Sequence, residues 1–409
     1  MGGFGKGKRK YGNKRGEISV FLAMTLAALI SLALIMSYAA RSLSLESRAD
    51  AIFRAAGRSI AAEYDRRLKE DYGILAFHGL GEDVEDKLRF YASQALPNAE
   101  NLEIRADLSG GRLNDIEVFE EALIEAFKSE GLDMLGSRLR DEEQNEGKGG
   151  KTGAVLRNRA EIESLPSNFI EGPSFNTGAI ESLSEEKILS ALARRSGTDM
   201  LTNEYILRKF TYNYGCGYAD NHFFQSEAEY ILFGKYSDEQ NMFRMKTSFI
   251  ALRTGLNAAY IVSDPLKMEI ITAASASAGP FFGLAEAAVI ALWAGAEALN
   301  DWKLISGGDK VPVMKTEGTW ALTLENAYQF GDGKGRIKPA VSEGLVYKDY
   351  LRLYLIMLGR EKKLGRMMDL IQLNLRGDYY SGFRIRDFNT AFIFEADYGG
   401  KRYTYEERY

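Results

Sequence analysis

Few residues in this 409-residue chain have the type and spacing to do chemistry. The single cysteine, Cys216, stands in NYGCGYADNH a little ahead of His222. A thiol nucleophile with an imidazole base would serve acyl transfer, but that needs spatial proximity and an orienting third group. A small residue in a glycine-flanked turn is the plainer reading of Cys216. The carboxylates Glu63, Asp65, Glu70 and Asp71 would suit acid–base work or a divalent ion. They are interleaved with Arg66, Arg67 and Lys69, so pairing along one helix accounts for them. With two histidines and one cysteine no His/Cys zinc set can be assembled. Gly331 and Gly333 in GDGKGR lack the strand-to-helix context of a phosphate loop, and no nucleophile elbow, Walker motif or HExxH occurs. Tyr212, Tyr214 and Tyr218 bunch together, as do Tyr347, Tyr350 and Tyr354. Exposed aromatics would bind a glycan or a protein partner, while the helical spacing of the second group reads as core. The sequence names no active site, and the expectation is a non-enzyme without metal or cofactor.

The element that must position everything else is apolar. Ile18 to Ala40 carries no charge, Pro or Gly, and at 1.5 Å per residue it reaches roughly 34 Å, enough to cross a hydrocarbon core of about 30 Å. Its anchoring residues are Ile18, Val20, Phe21, Leu22, Leu26, Leu29, Ile30, Leu32, Leu34 and Ile35. Lys6, Lys8, Arg9, Lys10, Lys14 and Arg15 precede it, with no acid before Glu17. The positive-inside rule therefore puts residues 1–16 in the cytoplasm and the body outside, a single-pass cell-membrane protein. Ser37-Tyr38-Ala39 could pass for a signal cleavage site, yet the apolar run is longer than a signal h-region of about 7–15 residues. A further processing site is Gly16-Glu17, cut on the cytoplasmic side as prepilin peptidases do. There the basic leader and the glycine fit, whereas Phe21 stands where a pilin-type helix carries Glu.

Net charge is −5, the basic residues before the span suit anionic headgroups, and nucleic acid is excluded as a partner. One cysteine rules out an internal disulfide framework. At 45% apolar residues the chain can bury a substantial core.

Beyond the span, Leu45, Ala49, Ile52, Phe53, Ala56, Ile60, Tyr64 and Leu68 recur at helical spacing, so a stalk helix should continue to about Asp71 and stop at Gly73. Its apolar stripe needs a partner surface, and other membrane or pilus-like subunits are expected there. A helix follows over 83–95. LEIRADL (102–108) and RLNDIEV (112–118) read as a hairpin, with a helix over 119–138. Residues 139–180 read as a linker. Helices are expected over 183–194 and 199–211, a strand in EAEYILF (227–233), and a helix opened by a Ser237/Gln240 capping box and ended before Asp264-Pro265. Residues 270–299, divided by Gly279-Pro280, read as two buried helices rather than a second span, because Glu286 would lie near mid-bilayer at a cost of roughly 2.5 kcal/mol or more. VPVMK (311–315) and TWALTL (319–324) look like strands, 346–375 like one long helix, and the end of the chain like a hairpin about Gly399-Gly400.

These blocks carry a resemblance. The N-terminal KRGEISVFLAMTLAALISLALIMSYAARSLSLESRAD, with EAEYILFGKYSDEQNM (227–242), RTGLNAAYIVSDP (253–265), KVPVMK (310–315) and YKDYLRLYLIMLGREKKLGRMMDLIQLNLR (347–376), resembles a bacterial family known as domain of unknown function 5702. That family has no catalytic residues to carry over. Its N-terminus is similar to membrane proteins of tight-adherence (Tad) pilus assembly, with a basic leader, one apolar helix and an external domain. The resemblance implies an accessory role in a type IV-like pilus or secretion machine.

The fold expected is α+β and mainly helical. Leader 1–16 and transmembrane helix 17–40 lead into a stalk and small α/β unit over 41–138. The 139–180 linker then reaches an external domain over 181–409 with small antiparallel sheets or hairpins. The function expected is a structural component of a pilus-like surface assembly. The alternative is an anchored receptor for a wall polymer, glycan or peptide, and an external hydrolase comes third.

Overall fold

The computed structural model describes residues 14–97, 102–137, 154–173, 197–214, 222–331, 333–378 and 380–409. Helix α1 runs unbroken over Lys14–Ala61, as expected where neither Pro nor Gly interrupts Glu17 to Ala56. It does not reach Asp71. The chain leaves the helix after Ala61, Tyr64 bridges Phe77, and Asp65 caps a new helix, α2 (Arg66–Tyr72), by accepting from the Leu68 amide at 2.8 Å. Gly73 closes α2 at φ 71°, a left-handed cap that glycine adopts without strain.

Strand β1 (Phe77–His78) and helix α3 (Gly81–Ser93) follow. Strand β2 (Glu103–Asp107) is the first arm of the expected hairpin, but the second arm is not a strand. Arg112 makes a lone bridge to Asn389, and Asp115 accepts from the Glu117 and Val118 amides to open helix α4 (Ile116–Ser137). Within the presumed linker lies helix α5 (Arg159–Glu163), capped by Asn158. Helix α6 spans Gly197–Lys209; the helix expected over 183–194 lies outside the described residues.

EAEYILF is helix α7 (Glu227–Phe233), not a strand. All seven of its residues are buried, and a short run buried on every side has no periodicity to separate helix from strand. Ser237 accepts from the Gln240 amide at 3.2 Å and opens helix α8 (Asp238–Ser263). Asp264 then caps helix α9 (Pro265–Ser275), and a 3₁₀ turn over Ala276–Phe281 leads into helix α10 (Phe282–Ser306). VPVMK and TWALTL form no ladder: Val311 makes one bridge, to Leu345, and Glu317–Thr319 is a 3₁₀ turn. After helix α11 (Leu324–Gln329), the single helix expected over 346–375 is two, α12 (Tyr347–Met357) and α13 (Arg360–Asp378). They part at Gly359, where a Cβ would lie 2.8 Å from Pro173 Cγ. Strands β3 (Phe388–Asn389), β4 (Ala391–Tyr398) and β5 (Lys401–Arg408) end the chain, and Gly399 and Gly400, both at positive φ, make the β4–β5 turn.

The chain divides into two compact units, neither of them contiguous in sequence. The first combines residues 1–62, 81–107 and 393–407. It holds a three-stranded sheet in the order β2-β4-β5, with Glu103 opposite Asp397 and Asp107 opposite Ile393. Ala49, Phe53, Ala56 and Ile60 of α1 are buried, together with Val84, Leu88 and Ala92 of α3 and Phe394 and Ala396 of β4. The second unit, residues 63–80, 108–392 and 408–409, is helical. Its core gathers α7, Met245 and Phe249 of α8, Tyr350 and Tyr354 of α12, and Leu364, Met367, Met368 and Ile371 of α13. The small sheet of β1 and β3 belongs to this unit. Stalk and C-terminal strands thus fold together, where a division at 139–180 would separate them.

Candidate functional site

Among the described residues, two helical segments are long and apolar enough to cross a membrane: Ile18–Ala61 and Pro265–Ser306. On the first, all ten anchoring residues are more than half exposed. At roughly 1.5–3 kcal/mol for each large apolar side chain left in water, such a bare surface calls for an apolar environment. Two of the hydroxyls inside it are turned back on the helix: Thr25 Oγ1 donates to Leu22 O at 3.0 Å and Ser31 Oγ to Ala27 O at 2.8 Å. Neither presents an unpaired donor outward, as a lipid-facing helix requires. The Gly16-Glu17 bond lies in the first turns of α1.

The stripe beyond the apolar segment is covered by the protein itself. The Phe53 ring sits 5.3 Å from that of Tyr403 and 6.4 Å from those of Tyr398 and Tyr405. Gly57 lets α1 approach the sheet, since a Cβ there would stand 3.0 Å from Phe394 Cε1 and Glu407 Cγ. Polar ties flank the seam. Tyr405 donates to Asp50 at 2.6 Å, Lys401 pairs with Glu46 at 2.7 Å, and Arg48 donates to Ala95 O at 3.2 Å. The Tyr405 hydroxyl, with Arg54 beside it, holds the Asp50 carboxyl below its usual range. Leu45 remains exposed and Ile52 half-buried. Tyr64 and Leu68 lie beyond the end of α1 and belong to the second unit, where Leu68 is core. A helical spacing that carries on across a break cannot reveal that break.

The second unit contains buried polar groups that, His222 apart, sequence reasoning passed over. His222 Nδ1 lies 2.6 Å from Glu227 Oε2, and Glu227 also accepts from Asn374 Nδ2 and the Thr211 amide. Cys216 is outside the described residues, so its pairing with His222 is not on view. Glu229 accepts from the Tyr347 hydroxyl at 2.6 Å and the Asn213 amide at 3.0 Å, yet its Oε2 has no partner, and burial pushes its carboxyl up to about 7. Arg253, Glu297, Asp301 and Lys315 make a buried charge cluster: Arg253–Asp301 2.9 Å, Lys315–Glu297 2.7 Å and Lys315–Asp301 2.7 Å. Glu297 and Asp301, four apart in an alanine-rich helix, were its only sequence signal.

The carboxylates weighed for catalysis resolve otherwise: Asp65 is a helix cap and Glu70 pairs with Arg66 at 2.7 Å. Among the described residues no group of three or more His, Cys, Asp or Glu side chains is disposed to hold a metal. Tyr347, Tyr350 and Tyr354 are core; Tyr214 is half exposed at φ 60°, and Tyr218 lies outside the described residues. The GDGKGR glycines belong to a turn whose Gly331 carbonyl accepts from Lys303. A cleft of 660 Å³ opens between Phe169, Ile170, Gln372, Ile385 and the side chains of Arg384 and Arg386.

Comparison with known proteins gives one match. A model described as “Family of unknown function (DUF5702)” covers residues 135–400, beginning beyond α1. No curated protein and no solved structure matches the chain.

Proposed function

The chain belongs to the DUF5702 family of unknown function, and on that premise we propose that it is a single-span, surface-exposed structural component of a pilus-like or secretion assembly. The observation that supports this is the division of labour along α1. One unbroken helix presents a bare apolar surface over its N-terminal part and meets its own sheet through Phe53 and Gly57 over its C-terminal part, where Ala56 and Ile60 are also buried. A helix that is both an anchor and a fixed strut of a folded unit transmits position from the bilayer to the body. Lateral assembly then falls to the exposed residues from Ile18 to Leu45, since the stripe below them is already covered. The N-terminus is cytoplasmic and the body external on the charge argument of the leader. A photo-crosslinking residue at Leu29 should trap another copy or another single-span subunit in intact membranes. Crosslinks to lipid alone would contradict the assembly role.

A second reading, an anchored receptor for a wall polymer, glycan or peptide, is supported by the 660 Å³ cleft, whose lining includes Arg384, Arg386 and Glu163. Its volume falls in the range of small-ligand pockets, about 300–1,000 Å³. Loss of ligand binding in an Arg384→Ala, Arg386→Ala double variant that stays anchored would favour it.

A further inference from the structure

The second long apolar segment is not the pair of buried helices that its sequence suggested. From Thr272 to Leu292 only Ser275 is buried, whereas from Trp293 onward α10 enters the core. The α9–α10 hairpin therefore ends in a bare apolar tip. Phe281 and Leu284 are 69% and 72% exposed, and Leu266 and Ile270 continue the surface along α9. Lys, Arg and Asp are absent from 270–299; Glu286, which accepts from Thr272 Oγ1 at 3.1 Å, is the charge on the α10 side, and Glu269, beside Ile270, is the charge on the α9 side. A contiguous apolar surface of this kind marks an interaction site.

The composition of the hairpin says what covers its tip. Behind it, Tyr260, Trp293 and Trp320 form a ring cluster, with Trp293 and Trp320 5.6 Å apart and Tyr260 and Trp320 5.5 Å apart. Lys267 Nζ stands over this cluster, 5.1 Å from the Trp320 ring. That cluster is interior, with Trp293 3% exposed and Lys267 Nζ paired with Asp264 at 3.0 Å. It is the hairpin's own composition that suits lipid, since Pro265–Ser306 has the length and apolar character of a membrane-crossing segment. A protein-binding patch would instead carry arginine and polar groups in its rim. The turn also limits depth. Gly279, at φ 56° and ψ −120°, breaks the helical ladder, and its freed backbone groups cannot be carried into the hydrocarbon centre.

We propose that the tip of the α9–α10 hairpin, led by Phe281 and Leu284, inserts into the headgroup and upper acyl region of a lipid bilayer without crossing it. The inference rests on the reading of α1 as an anchor, which tethers the hairpin to a membrane.

The test uses the full chain reconstituted into phosphatidylcholine/phosphatidylglycerol vesicles, with or without brominated acyl chains. Phe281→Trp and, separately, Leu284→Trp report from the tip, and Phe243→Trp, on an exposed part of α8, is the control. Both tip positions are solvent-facing, so either variant should fold. We expect brominated lipid to reduce the added tip emission at least twofold and to leave the control unchanged. A chain that floats with the vesicles while its tip is no more quenched than the control overturns this inference and leaves the anchor standing. A chain that does not float overturns both. Tip-to-tip crosslinks between copies, without quenching, overturn it in favour of a dimer surface.

Discussion

The phenol of Tyr405 donates to a carboxylate oxygen of Asp50 at 2.6 Å, joining the last strand of the chain to its first helix. Asp50 lies just beyond the apolar segment, so this bond fixes the direction in which the anchor leaves the folded unit. It closes a loop of more than 300 residues with one hydrogen bond and the Phe53 packing beside it.

Removing that bond should loosen the seam without unfolding the unit. Tyr405→Phe is expected to cost about 1 kcal/mol, as for a hydrogen bond to a charged group that is partly solvated. The Asp50 carboxyl is held below its ordinary value, first by the Tyr405 hydroxyl. Its contribution is therefore present above the unfolded pKa of about 3.9 and lost as pH falls through the folded value. Urea midpoints of Asp50→Asn and wild type should differ at pH 7 and converge below pH 3; a constant difference would contradict the linkage.

Phe53→Ala should be far more costly, about 3–5 kcal/mol, because the ring is fully buried among three tyrosines. Hydrogen exchange of β4 and β5 amides reads it directly. Protection unchanged from wild type would mean that α1 is not held by this sheet.

Glu229 makes stability fall with rising pH. Its carboxyl is raised by burial to about 7, well above an unfolded value of about 4.3. The stabilisation from its neutral form is complete below about pH 4.3 and gone as pH passes 7, a span of roughly 4 kcal/mol. Glu229→Gln should flatten this slope, matching wild type near pH 4 and exceeding it at pH 8 in chemical denaturation. A variant that loses stability at pH 8 would refute the assignment.

The Arg253–Asp301–Lys315–Glu297 cluster balances two positive against two negative side chains. Lys315→Met strands Glu297 and half of Asp301 in the interior, at an expected cost of about 3–5 kcal/mol. Thermal unfolding should show the loss, and Lys315→Met combined with Glu297→Gln should recover part of it. No recovery in the double variant would show that the two charges are not coupled.

Legibility in the sequence followed the reach of each signal. The caps at Ser237 and Asp264, the stop at Gly73 and the turn at Gly399-Gly400 depend on neighbours within a few residues, and they stand where local chemistry puts them. The strand expected at 112–118 failed because β2 finds its partner in β4, almost 300 residues later. EAEYILF misled because burial on all sides erases periodicity, and the break at Leu358-Gly359 falls where Pro173, a distant neighbour, comes close enough that only glycine fits. The apolar residues from Ile18 to Ile35 were plain from composition. Nothing local disclosed that Phe53 would be covered by the chain's own C-terminal strands, or that Ala49 and Ile60 would be buried with it.

The anchor carries the account, and two measurements on one sample test it: resistance to alkaline extraction, and the intact mass and N-terminus of the membrane-bound chain. A chain anchored through α1 stays in the alkali-washed pellet and retains residues 18–40, whether it starts before or at Glu17. Leu29→Lys or Ile35→Asp, each costing about 2.5–3.5 kcal/mol at a bilayer centre, should move it toward the soluble fraction. A mature chain that begins after Ala40 and is recovered free of membranes would contradict the account, making the apolar segment a removed signal.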